Sequence, residues 1–208
     1  MCVCVCVCSA PPKVPGKHRI IYVIGLPGAG KSTAVESVLK GTGYRELAEK
    51  NTVPHCVYDD GVIMLGKWRE KFPGTDAIGF SMQPKVEEWM REIIIKMDNC
   101  TMIAEGDRFT NRKFIEACEK VGWIVDIVHI TVTVDVAKQR SEHQYTDKRF
   151  KSLTTKIANL ADKVKYIIDG SLAIGTVAKK LMDILKNDEF HECVLEQDYE
   201  EAAKIQDK

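Results

Sequence analysis

The sequence lacks most of what would place it at a membrane or a metal site. No stretch of its 208 residues is apolar over the length a bilayer span needs. No basic segment followed by a long apolar core marks a secretory signal, so a cytoplasmic protein without a membrane partner is expected, in the host cytoplasm if the source is viral. Net charge is also lacking: 30 Lys and Arg balance 30 Asp and Glu, so bulk charge neither points to nor excludes nucleic acid. None of the eight cysteines forms the C-x-x-C spacing of a zinc site. Cys2, Cys4, Cys6 and Cys8 alternate with valine, as a repeated TG dinucleotide after ATG would encode, and read as a low-complexity start. Cys56, Cys100, Cys118 and Cys193 are scattered and fit core thiols in a reducing compartment. A hydrophobic fraction of 45% with 29% charged residues suits one α/β domain with a two-sided core.

The stretch Gly25-Leu26-Pro27-Gly28-Ala29-Gly30-Lys31-Ser32-Thr33 fits G-x-x-x-x-G-K-[ST] without a gap. A buried strand is expected before it, over Ile20 to Ile24, and a helix after it, over Ser32 to Lys40. Gly25, Gly28 and Gly30 let the backbone curl until successive N–H groups point inward, and the helix N-terminus adds its partial positive charge. With Ala29 and Thr33 they make a cradle for phosphate, Lys31 reaches the outer phosphates, and the Ser32 hydroxyl completes the shell of Mg2+. A nucleoside triphosphate, ATP by expectation, is the first partner.

Residues 1–17 read as a disordered leader, 18–186 as the folded domain and 187–208 as an acidic flexible tail. Val53 to Gly61 read as a short strand ending in the two acids Asp59 and Asp60. In an open parallel sheet ligands gather at carboxyl ends of strands, so either acid is a candidate general base; ordinary Asp-Asp-Gly turn composition is the competing reading. Residues 61–83 look irregular, with Lys67 and Arg69 available to phosphate and Trp68 and Phe72 able to stack on a base. Gln83-Pro84 opens a helix through Trp89 to Met97. Thr101 to Phe109 read as a buried strand ending in acids; Glu105, with Ser32, is one candidate to orient Mg2+ and Asp107 another, and Arg108 is available to acceptor or phosphate. Trp123 to Val134 read as a long central strand, with His129 on its face, and Asp135 as the cap of the next helix. Between residues 138 and 165 eight Lys and Arg face three acids, which suits a lid over about 138–156 with Arg140 and Arg149 stabilising the transferred charge. A helix is expected from Leu153 to Tyr166, a last short strand at Ile167 to Asp169, and a final helix from Ser171 to Leu185.

Several segments together resemble one family. They are the glycine loop, Phe72-Pro73-Gly74-Thr75-Asp76-Ala77, Gln83-Pro84 with Trp89, Ala104-Glu105-Gly106-Asp107-Arg108, and an Arg-bearing lid followed by Thr155-Lys156 and Asn159-Leu160. The chain is similar over roughly residues 19–162 to the phage P-loop kinases that phosphorylate 5-hydroxymethyluracil in DNA. Lys67 and Pro73 depart from that pattern, where arginine and glycine are expected. The resemblance implies an α/β P-loop NTPase fold of the nucleotide-kinase kind, a three-layer sandwich around a mainly parallel sheet. It implies ATP with Mg2+ as donor and DNA carrying a modified pyrimidine as acceptor, with Lys67, Trp68, Thr75, Asp76, Asp107 and Arg108 on the acceptor side. The same donor site would also serve a kinase acting on a free nucleotide, nucleoside or other small alcohol, or a non-kinase NTP-binding module.

Overall fold

A computed structural model describes residues 18–47, 52–69, 73–141 and 145–186. The expected leader, the acidic tail, Phe72 and residues 142–144 of the lid segment lie outside them.

The longest unbroken apolar run near the start becomes β1 (His18–Ile24), and every residue of it is buried. That pattern requires cover on both faces. Ile20, Tyr22 and Ile24 point into one core with Val86, Met90 and Phe114; Ile21 and Val23 point into a second with Val35, Val38 and Leu181. The covering elements are α2 (Gln83–Lys96) and α3 (Arg112–Lys120) on the first face, and α1 (Lys31–Leu39) and α6 (Ile174–Lys186) on the second.

The sheet has seven strands in the order β2-β3-β4-β5-β1-β6-β7. These are β2 (Tyr44–Leu47), β3 (His55–Tyr58), β4 (Ile63–Leu65), β5 (Cys100–Glu105), β6 (Trp123–Thr131) and β7 (Val164–Asp169) beside β1. The pairs β4–β5, β5–β1, β1–β6 and β6–β7 are parallel, while β3 runs antiparallel to both β2 and β4. The buried Asp126 on β6 accepts from Arg19 of β1 at 2.6 Å and Lys165 of β7 at 2.8 Å, tying the amino-terminal parts of the three strands. No helix among the described residues is long and apolar enough to cross a membrane.

Several expectations need correction. β2 and β4 add two strands where none was expected. β6 is the longest strand but lies one place from the sheet edge, with β5 in the middle. Thr133, not Asp135, caps α4 (Val134–Arg140), accepting from the amide of Val136. The helix expected to reach Tyr166 ends at Ala158, as α5 (Asp147–Ala158); a tight turn at Ala161–Lys163 follows, and Val164 and Tyr166 join β7. A small apolar cluster, Leu26, Ala137, Phe150 and Leu153, seats α4 and α5 on the loop after β1.

Candidate active site

The loop between β1 and α1 is pressed against its neighbours. A Cβ added at Gly25 would lie 2.4 Å from the carbonyl oxygen of Ile130, and one at Gly28 would lie 2.4 Å from that of Ala137. Both have positive φ, so only glycine fits. Gly30 is the N-cap of α1 and brings no side-chain acceptor, which leaves the first-turn amides directed outward as donors. The Ala29 amide is an exception: it closes the turn on the Leu26 carbonyl at 3.1 Å. Lys31 folds back over the loop, its Nζ donating to the Leu26 carbonyl at 3.0 Å. Ser32 Oγ donates to Glu105 Oε1 at 3.1 Å, so the loop and the end of β5 touch through the two groups expected to share a cation.

The segment after β4 closes the other side. A Cβ at Gly66 would lie 1.9 Å from the Gly74 carbonyl oxygen, one at Gly74 2.4 Å from Glu105 Oε1, and one at Gly106 2.6 Å from Thr75 Oγ1. Three positive-φ glycines therefore let the loop lie flat on the end of β5. Thr75 Oγ1 donates to the Glu105 carbonyl at 2.9 Å, the Asp107 amide donates to Asp76 Oδ1 at 3.1 Å, and Arg108 Nη2 donates to the Asp76 carbonyl at 3.1 Å. Three carboxylates, Asp76, Glu105 and Asp107, thus gather beside Lys31 in a cavity of about 1290 Å³. From α5, Arg149 pairs with Asp107, and from the end of α4, Arg140 Nη1 donates to the Gly170 carbonyl at 2.7 Å.

Burial raises the Asp76 carboxyl, and the hydrogen bond to Asp107 with the charges of Asp107 and Glu105 raises it further. Burial acts the same way on Asp107, but the proton shared with Asp76 and the charges of Arg149, Lys156 and Lys31 outweigh it and hold that group low. Of the two, Asp107 therefore ionises first, and Asp76 becomes an anion, able to accept a proton, only as pH rises through its raised value. Glu105, 2% exposed, is pushed up to about 7 by burial, against the pull of Lys31 and Ser32. Its folded value lies above its unfolded one. Stability present below about pH 4, where both states are protonated, is therefore lost as pH rises to about 7, by about 3 kcal/mol. The Glu105→Gln protein, free of nucleotide and divalent cation, should lose less stability than wild type between pH 5 and pH 8; denaturant unfolding at the two pH values checks this.

Among the residues expected at the site, Gly25, Gly28, Gly30, Lys31, Ser32, Thr33, Trp68, Asp76, Glu105, Asp107, Arg108, Arg140 and Arg149 all line the cavity. Asp59 and Asp60 do not. They follow β3, whose reversed direction carries its carboxyl end to the amino-terminal end of the parallel strands, where Asp60 lies near Cys100 and Thr101 at the start of β5. There Asp60 Oδ1 caps its own turn, accepting from the Val62 amide at 3.2 Å. Thr75 is wholly buried and serves the β5 backbone. Lys67 faces away, paired with Glu46 at 3.5 Å. His129 is kept neutral, pushed down to about 4 by burial and the Lys31 charge. Tyr44, Tyr58 and Tyr145 also line the cavity, and no sequence signal marked them.

A family model described as P-loop Nucleotide Kinase3 matches residues 16–176. Among solved structures, a sugar kinase from Janibacter sp. HTCC2649 is 17% identical, with a TM-score of 0.47 over 81% of this chain and 93% of that one. Shikimate kinase from Aquifex aeolicus vf5 is 15% identical, with a TM-score of 0.44 over 80% and 96%. Deoxyadenosine kinase from M. mycoides with bound dATP is 13% identical, with a TM-score of 0.38 over 80% and 99%. These likenesses are too loose to carry an argument about substrate. No curated protein matches the chain.

Proposed function

The chain belongs to the P-loop Nucleotide Kinase3 family, and from that premise we propose that it is a cytoplasmic ATP-dependent kinase whose acceptor is the hydroxymethyl group of 5-hydroxymethyluracil in DNA. The kinase domain spans 18–186, with a lid over 138–156. One observation carries the reading: the Gly74-Thr75-Asp76 and Glu105-Gly106-Asp107 segments, on which the family resemblance rests, meet each other and the phosphate loop in one cavity.

The donor side follows from the loop. Open amides after Gly30, together with Lys31, hold the outer phosphates. Ser32 and Glu105 offer hard oxygen ligands, the set that suits Mg2+. Among the described residues no three His, Cys, Asp or Glu side chains form a cage for an ion, so such a cation would rely on Ser32, Glu105, water and the nucleotide's own phosphates. When bound, Mg2+ supplies neutralisation of charge on the phosphate oxygens.

On the acceptor side, Asp76 takes the proton of the hydroxymethyl group. The hydroxymethyl oxygen forms a bond to the γ-phosphorus while the bond to the β-γ bridging oxygen breaks, and ADP leaves. Arg149 exchanges its pairing with Asp107 for the transferred group, and Arg140 stabilises the charge spreading over it. A target base in duplex DNA must leave the stack to enter.

Labelled ATP offered with an oligonucleotide containing 5-hydroxymethyluracil tests this. Label on that oligonucleotide, and none on the same sequence with thymine, is expected. Label only on free nucleosides or nucleotides would move the acceptor to a small alcohol, and hydrolysis without transfer would make the protein an NTP-binding module.

A further inference from the structure

The cavity continues beyond the carboxylates. It follows the outer stripe of α1, where Thr33, Ser37 and Lys40 recur at helical spacing, and reaches Tyr44 and Tyr58 at the far end. At nine residues α1 is about 13 Å long, and Tyr44 follows its carboxyl end, whereas the glycine loop sits at its amino end. Tyr44 and Tyr58 face each other across β2 and β3, with ring centroids 5.2 Å apart and planes tilted by 33°. Trp68 Nε1 donates to the Tyr58 hydroxyl at 2.6 Å, which fixes the Tyr58 ring. Burial pushes the Tyr58 hydroxyl up to about 12, so it stays neutral. Tyr44 keeps 49% of its surface exposed on the edge strand. Lys40 and Arg69 stand on the trench walls, with Glu36 the acid among them.

A small alcohol would be held entirely between the carboxylates and the phosphate loop. It gives no use to an exposed aromatic ring past the carboxyl end of α1 with cations along the approach. A nucleic-acid strand uses both: bases stack on aromatic rings while the backbone follows positive charge. Resting on the kinase reading above, we infer that the trench binds a nucleotide flanking the one that is phosphorylated. Its base stacks on the exposed Tyr44 ring, which the buried Tyr58 ring backs, and its phosphate lies by Lys40 and Arg69. The acceptor is then a single-stranded or extruded stretch of DNA rather than a free nucleoside.

The test compares wild type, Tyr44→Ala and Tyr44→Phe on three acceptors: an oligonucleotide with 5-hydroxymethyluracil between flanking nucleotides, the same modified nucleotide without flanks, and, for binding alone, the oligonucleotide with thymine at that position. Loss of the ring at an exposed edge, with its one cross-strand contact to Tyr58, should lower the melting temperature only slightly. Tyr44→Ala should raise KM for the flanked oligonucleotide about ten-fold and weaken binding of the thymine oligonucleotide about as much. It should leave KM for ATP and kcat unchanged, and Tyr44→Phe should restore the wild-type values. On the unflanked nucleotide the substitution should be silent. If wild type phosphorylates the oligonucleotide and Tyr44→Ala changes nothing, the trench assignment falls while the kinase reading stands. If wild type phosphorylates only unflanked acceptors, both the DNA acceptor and the trench assignment fall.

Discussion

Changing Lys31 to alanine should lower phosphoryl transfer by about three orders of magnitude, the scale on which removing a charge stabiliser from a transferring phosphoryl group acts. Two effects combine. The outer phosphates lose their nearest fixed cation, since Lys31 lies on the phosphate loop within reach of the Leu26 carbonyl. The acids also lose the charge that favours their ionised forms, because Lys31 lowers Asp76, Glu105 and Asp107 alike. The residual activity of the alanine variant should therefore peak at higher pH than that of wild type. Initial rates with labelled ATP across a pH series, together with calorimetric nucleotide binding, measure both parts. A loss smaller than about ten-fold would remove the loop from the donor role.

The second large effect is expected at Asp76. Asparagine there keeps the side-chain oxygen that accepts from the Asp107 amide, so the loop should remain in place, but it cannot take a proton. The turnover number should fall by about a thousand-fold, within the span of general-base contributions, with ATP affinity unchanged. Burial and the neighbouring acids raise the wild-type Asp76 carboxyl. Because only the ionised form accepts a proton, wild-type turnover should fall as pH drops through that raised value. The asparagine variant should lose this limb of the profile. Asp59→Asn and Asp60→Asn, at the amino-terminal end of the parallel strands, should turn over like wild type. A loss at either equal to that at Asp76 would reverse the assignment.

The donor half of this site was legible because its parts are contiguous: strand, glycine loop and helix follow one another, and each glycine is required locally. The carboxylate half of the cavity was legible only as motifs. Asp76 and Glu105 meet because glycines at 66, 74 and 106 permit a contact between segments far apart in the chain, which no periodicity encodes. The misplacement of Asp59 and Asp60 has a specific cause. The residues of β3 read the same whichever way the strand runs, and its direction is set by antiparallel pairing with β2 and β4, both too short to give a clear signal. Around Val164 an apolar spacing compatible with either period yielded to the turn at Ala161–Lys163, after which the chain had only the free edge of β6 to join.

The glycine contacts between the loop after β4 and the end of β5 bear on how this protein can vary. A methyl group on either partner would have to be matched by withdrawal of the other, so the two segments are bound to change together or not at all. Drift in acceptor preference is thereby channelled toward the rim of the trench, where Tyr44 and Arg69 are exposed and side chains can be exchanged one at a time.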